Sequence, residues 1–347
     1  MAEAPTLPDD LRRLPKVLLH EHLDGGLRHA TLLRLLRERG LPSPAADEAG
    51  LAAWFDARAH AGSLTEYLKG FGLTVAAMAT PAAMTQVAFE AAENALAEGC
   101  VLAEFRMAPL LLESPEVSAE AAIEALLAGL DHSPLPCGLI LCAMRHEPPE
   151  TSERVVRLAL RYRGRGVVGF DLAGPELGHP PADHAKALAL ARDQGLPLTL
   201  HAGEADAAER VLEAARLGAT RIGHGVRLAD WLGTPQGEER LAEVRARGLH
   251  LEVCPSSNVH TGAASSLAEH PIGALWRAGL SLSYHTDNPL MSCTTMTAEA
   301  ALLIEHQGLT RADLLAMALQ AAEHSFLPES ARAEAIGHLR EAARAAA

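Results

Sequence analysis

The chain has 347 residues, 48% of them apolar, which is enough for one large barrel or two ordinary domains with a substantial core and excludes a wholly disordered protein. A net charge of −14 and a pI near 5.6 exclude a nucleic-acid backbone as the natural partner, because that binding depends on clustered Lys and Arg. A small neutral ligand suits this composition.

The N-terminal stretch MAEAPTLPDDLRRL lacks a basic segment followed by an apolar run, and no continuous run in the chain is long enough to span a bilayer. The expectation is a cytoplasmic protein with no membrane partner. Cys100, Cys137, Cys142, Cys254 and Cys293 are an odd number without CxxC spacing, each in or beside an apolar run, and read as buried free thiols of a reducing compartment.

Along the chain, short aliphatic runs alternate with longer Ala/Leu/Glu/Arg-rich stretches, the pattern of parallel strands joined by crossover helices. The predicted strands are Lys16–His20, Val101–Met107, Gly138–Arg145, Val167–Leu172, Leu196–His201, Thr220–His224, His250–Val253 and Leu280–Thr286. Eight strands in this length fit a closed α/β barrel, a (β/α)8 TIM barrel, better than an open doubly wound sheet, and no GxGxxG follows the first strand. No linker or composition shift divides residues 1–347, so one barrel domain is expected.

About eighty residues separate the first two strands, far more than a usual βα connection. Residues 30–82 read as inserted helices broken near Gly40–Pro44. In LTEYLKGFGL, one helical face collects Leu64, Tyr67, Leu68 and Phe71. Such a face fits an outer helix packed on the barrel or a lid over its mouth; the expected architecture has the extra helices forming a lid. The tail from Leu309 to Ala347 reads as Ala-rich helix.

His20-Glu21-His22 closes the first strand, and alternation along an extended segment points both imidazoles the same way. An HxH pair alone is weak evidence for a metal. It gains weight because His201 ends the fifth strand, His224 the sixth, and Asp287 follows the eighth, so all converge on one mouth. Three His and one carboxylate around an open position suit a catalytic zinc rather than a structural one.

In order, KVLLHEHLDGGLR, DLAGPE, LTLHAGE, RIGHGVRL, CPSSN and HTDNP make the chain resemble the adenosine deaminase family over nearly its whole length. The resemblance implies hydrolytic deamination of adenosine or deoxyadenosine, with adenine or aminofutalosine as alternative 6-aminopurine substrates. It implies one Zn2+ held by His20, His22, His201 and Asp287. His224 would take the proton of the attacking water and stabilise the resulting charge, while Glu204 would protonate N1 of the purine. Asp24 would meet the ribose 5′-hydroxyl, the Gly174 N–H would meet N3, and Tyr67, Leu68 and Phe71 would wall the ribose.

Two departures matter. Where many members carry two consecutive Asp, this chain has Asp287-Asn288, and an Asn amide can donate to the purine N7 in any protonation state. The residue two before Asp287 is His285, which is left open between a group near the metal and a lining residue. A two-metal amidohydrolase usually needs a bridging carboxylated lysine at the fourth strand, and VVGFDLAGPE offers none. The cytidine-deaminase type of site needs a PCxxC, which is absent.

Overall fold

A computed structural model describes residues 9–61 and 64–346. Eight parallel strands follow one another in chain order around a barrel: β1 (Lys16–His22), β2 (Cys100–Met107), β3 (Cys137–Met144), β4 (Val167–Ala173), β5 (Leu198–Ala202), β6 (Arg221–His224), β7 (His250–Val253) and β8 (Ser281–Tyr284). The sheet closes through a parallel bridge between Glu21 and Asp287. At that seam the Asp287 N–H donates to His20 O (2.9 Å) and the His22 N–H to Asp287 O (2.8 Å).

Three strand ends differ from expectation by two residues, and the others by one at most. β1 runs on to His22 because Asp287 supplies it with a partner beyond the end of β8. β5 begins at Leu198 because Pro197 has no N–H to give the ladder. β8 stops at Tyr284, before the expected Thr286. Past that point His285 Nδ1 accepts the Leu19 N–H at 3.2 Å, so a side chain replaces the backbone ladder at the seam. His285, left open by the sequence, thus ties β1 to the end of β8 through this hydrogen bond.

The insertion after β1 holds helices His29–Glu38, Glu48–Ala59 and Leu64–Met78, the first two separated by a turn through Gly40–Pro44. Helix Leu64–Met78 packs closely over the loop after β8: a Cβ added at Gly70 would meet Met291 Sδ at 2.3 Å. Tyr67 is buried and its hydroxyl lies 2.9 Å from Ser292 Oγ, while Phe71 lines the cavity beneath. This is the lid. The side chain of Leu68 lies outside the described residues.

The C-terminal tail forms two helices, Arg311–His324 and Glu329–Ala346, separated just before Pro328. Among the described residues no single helix is long and apolar enough to cross a membrane. Four of the five free thiols are buried or half-buried, but Cys293 is exposed, contrary to expectation. It sits on the loop beyond β8 in a left-handed conformation (φ 51°), away from the strands that hold Cys100, Cys137 and Cys142 and from the end of β7 where Cys254 lies.

Candidate active site

The C-terminal ends of the strands bring together every candidate metal ligand. A donor atom of each of His20, His22, His201 and Asp287 lies within 4.8 Å of one from each of the others. His20 Nε2 and His22 Nε2 stand 3.3 and 3.4 Å from Asp287 Oδ1, and His22 Nε2 stands 3.4 Å from His201 Nε2. His20 Nε2 is buried without a hydrogen-bond partner, as a nitrogen meant for a cation should be.

The opposite ring nitrogens explain that orientation. His20 Nδ1 lies 2.9 Å from Glu252 Oε2, and His201 Nδ1 lies 3.0 Å from Asp171 Oδ2. A neutral imidazole that donates Nδ1–H to a carboxylate turns its Nε2 lone pair outward, so both rings present lone pairs to the shared space. Ser257 Oγ donates to Asp287 Oδ2 at 2.6 Å, leaving Oδ1 for the centre. The donor set and its orientation fit one zinc ion. A second candidate trio, His224, Cys254 and Asp287, uses the same Asp287, so it does not add an independent site.

Backbone strain concentrates at the same place. His224 (φ 65°) and Asp287 (φ 58°) are two of three described non-glycine residues in the left-handed region, which costs on the order of 1–3 kcal/mol each and persists where the surroundings enforce it.

A cavity of about 520 Å³ opens beside the cluster, lined among others by His22, Asp24, Tyr67, Phe71, Gly174, Glu204, His224 and Asn288. Glu204 Oε2 lies 3.6 Å from His224 Nε2. Burial pushes the Asp24 carboxyl up to about 7. Gly174 adopts φ +94°, which a residue with a side chain rarely tolerates, and its backbone faces the cavity directly. Gly25 is required for a different reason: a Cβ there would fall 2.1 Å from Asn288 Oδ1.

Several supporting residues carried no role in the sequence reading. Glu176, in DLAGPE, accepts the backbone N–H groups of Glu204, Ala205 and Asp206 at 3.2, 3.1 and 2.8 Å, so one carboxylate holds the turn that presents Glu204. Beneath the His cluster, Arg106 donates to Asp171 Oδ2 (2.8 Å), Glu252 Oε2 (2.5 Å) and Leu19 O (2.8 Å). Arg221 joins Glu252 to Glu104 at 2.6 and 2.7 Å. The available signal was Glu104 and Arg106 at alternate positions of an otherwise apolar strand, a pattern that puts both charges on one face.

Barrel and strand-end cluster together are those of an amidohydrolase-type (β/α)8 protein. A family model described as adenosine deaminase matches residues 15–342. The adenosine deaminase of Mycobacterium bovis (strain BCG / Pasteur 1173P2) is 42% identical over 344 residues, covering 94% of this chain and 93% of that protein. Among solved structures, Arabidopsis ADAL complexed with IMP matches with a TM-score of 0.83 at 26% identity, over 97% of this chain and 99% of that one. A Burkholderia ambifaria amidohydrolase with bound Zn matches with a TM-score of 0.80 at 25% identity, over 96% and 93%. The chain belongs to the adenosine deaminase family.

Proposed function

We propose that the chain hydrolyses adenosine and deoxyadenosine to inosine or deoxyinosine plus ammonia, with one Zn2+ held by His20, His22, His201 and Asp287. The observation that carries the reading is the placement of the four-ligand cluster, Glu204 and His224 on one cavity under an aromatic lid. Zinc, when bound, lowers the pKa of a water towards neutrality and so supplies a nucleophile.

The chain's own residues do the rest. Glu204 delivers a proton to N1, which makes C6 electrophilic as water adds there, and His224 takes the water's proton. That proton then passes to N6, the C6–N6 bond breaks, ammonia leaves, and the C6 hydroxyl returns a proton to Glu204 as the carbonyl forms. His224, having taken the water's proton, stabilises the charge that develops on the attacking side of C6. The Gly174 N–H meets N3, Asn288 donates to N7, and Tyr67, Leu68 and Phe71 shield the ribose from water. Asp24 accepts from the 5′-hydroxyl, and its carboxyl favours a nucleoside over a 5′-phosphate, which would bring a second acid into the same buried spot.

Ammonia release measured across adenosine, deoxyadenosine, adenine, aminofutalosine and AMP tests the substrate. The two nucleosides are expected to show the highest kcat/KM, and a higher value for adenine, aminofutalosine or AMP overturns the assignment. Elemental analysis of active protein is expected to give one divalent metal per chain; two equivalents, or none, contradicts the four-ligand site. Gly25→Ala probes the purine contact without touching a polar group. Its Cβ must displace the Asn288 side chain, so kcat/KM for adenosine should drop by the worth of one buried hydrogen bond, about 1–3 kcal/mol, or roughly fivefold to 150-fold. The same variant should lose far less on 7-deazaadenosine, which has no N7 acceptor, and equal losses on both substrates would remove Asn288 from purine recognition.

A further inference from the structure

The CPSSN segment after β7 puts Asn258 between both proposed catalytic side chains. Asn258 is fully buried on the short helix Pro255–His260. Its Nδ2 lies 3.2 Å from Glu204 Oε1 and 3.0 Å from His224 Nδ1, and its Oδ1 lies 3.3 Å from His270 Nε2. His270 is itself buried, and its Nδ1 accepts the Ile272 N–H at 3.2 Å.

These contacts fix the hydrogens one after another. A backbone N–H can only donate, so His270 Nδ1 is an acceptor and the single proton of a neutral His270 sits on Nε2. That N–H needs an acceptor, which orients the Asn258 amide with Oδ1 towards His270 and its NH2 towards the site. The two amide hydrogens then go to Glu204 Oε1 and His224 Nδ1. His224 Nδ1 is thereby an acceptor, and its own proton is left on Nε2, the nitrogen that faces Glu204 Oε2. Glu204 Oε1 also accepts the Thr261 hydroxyl at 2.8 Å, so one carboxylate oxygen is saturated and the other is free.

We infer that Asn258, with its amide direction set by His270, is a positioning residue that holds His224 as the Nε2–H tautomer and aims the free oxygen of Glu204 at the substrate. This rests on the deaminase reading above and changes the proton path within it. His224 enters as a donor that stabilises negative charge growing on the attacking oxygen, instead of removing that oxygen's proton. Glu204 is the remaining acceptor: it takes the water's proton as the oxygen–C6 bond forms and passes it to N1. One carboxyl group thus moves one proton from water to purine, and no net charge is created at the pair.

The test uses the full chain as purified, labelled with 15N-histidine. The nitrogen signals of His224 and His270, assigned through substitutions at each position, are expected to show unprotonated Nδ1 and protonated Nε2 in both rings. A protonated Nδ1 on His224 overturns the proposal. Two variants separate positioning from packing. His270→Gln keeps an N–H near the Nε2 position and should retain the His224 tautomer and most of kcat. His270→Phe keeps the ring's bulk but loses the donor; it should lower kcat about tenfold or more, as expected for a misdirected hydrogen bond to a charged group, with KM and metal content little changed. Matching kcat and His224 signals in the Phe variant and the wild type would also overturn it. An error in the substrate assignment appears differently, as an absence of adenosine turnover in the wild type with the nitrogen signals unaffected.

Discussion

Replacing Glu204 with Gln is expected to lower adenosine turnover by about two orders of magnitude or more while the metal content stays at the wild-type level. The substitution preserves size, and the amide oxygen of Gln can still accept from Asn258 Nδ2 and Thr261 Oγ1, which hold Glu204 Oε1 at 3.2 and 2.8 Å. What is lost is the ability to bind and release a proton at the oxygen beside His224 Nε2. The four-ligand cluster does not include Glu204, so ion binding has no reason to change. KM should move little, because N1 loses a proton transfer and not its place in the cavity. Stopped or steady-state ammonia release together with elemental analysis decides the matter. A Gln variant with wild-type kcat would remove Glu204 from the proton path.

The residues at the cavity were legible because the fold puts chemistry at strand ends. HEH, HAGE, IGHG and HTDN each follow an aliphatic run, and a parallel barrel sends the end of every such run to the same face. What orients them was not legible. Glu252 reaches His20 across 232 residues, and Arg106 reaches Glu252 across 146, so no local pattern connects the partners. Asn258 and His270 illustrate the same difficulty: CPSSN stood out as a motif, yet its work depends on a histidine twelve residues on and a carboxylate fifty-four residues back. The role of His285 depended on where β8 stops pairing, and strand ends are set by neighbouring strands rather than by the residues at the end.

Arg106→Met should be the most destabilising single change beneath the site, by about 3–5 kcal/mol, because it removes the cation shared by two buried carboxylates. Arg106, Asp171 and Glu252 are all fully buried. Glu252 keeps Arg221, His20 and Thr199, but among the described residues Asp171 keeps just His201 and the Cys142 thiol. Burial alone would raise the Asp171 carboxyl, yet His201 and Arg106 beside it hold it far below the ordinary range; at Glu252, burial is likewise outweighed by Arg221, Arg106 and His20. Carboxyls depressed in this way add stability above their unfolded pKa of about 4, and that stability fades as pH falls towards the folded value. Without Arg106 the desolvation is less opposed, the folded carboxyls shift upward, and the variant gains less stability from ionisation as pH rises. The gap between wild type and variant should therefore be widest near neutrality and narrow as the medium is acidified through the carboxyl range. Urea unfolding of metal-free protein over that range measures the gap directly, and one that stays flat with pH, or below about 1 kcal/mol, contradicts the role assigned to the network. The loss should also reach the ion, since Asp171 and Glu252 orient His201 and His20. Competition against a chelator is expected to show about tenfold to a hundredfold weaker metal binding in the variant, the usual cost of loosening groups that orient metal ligands.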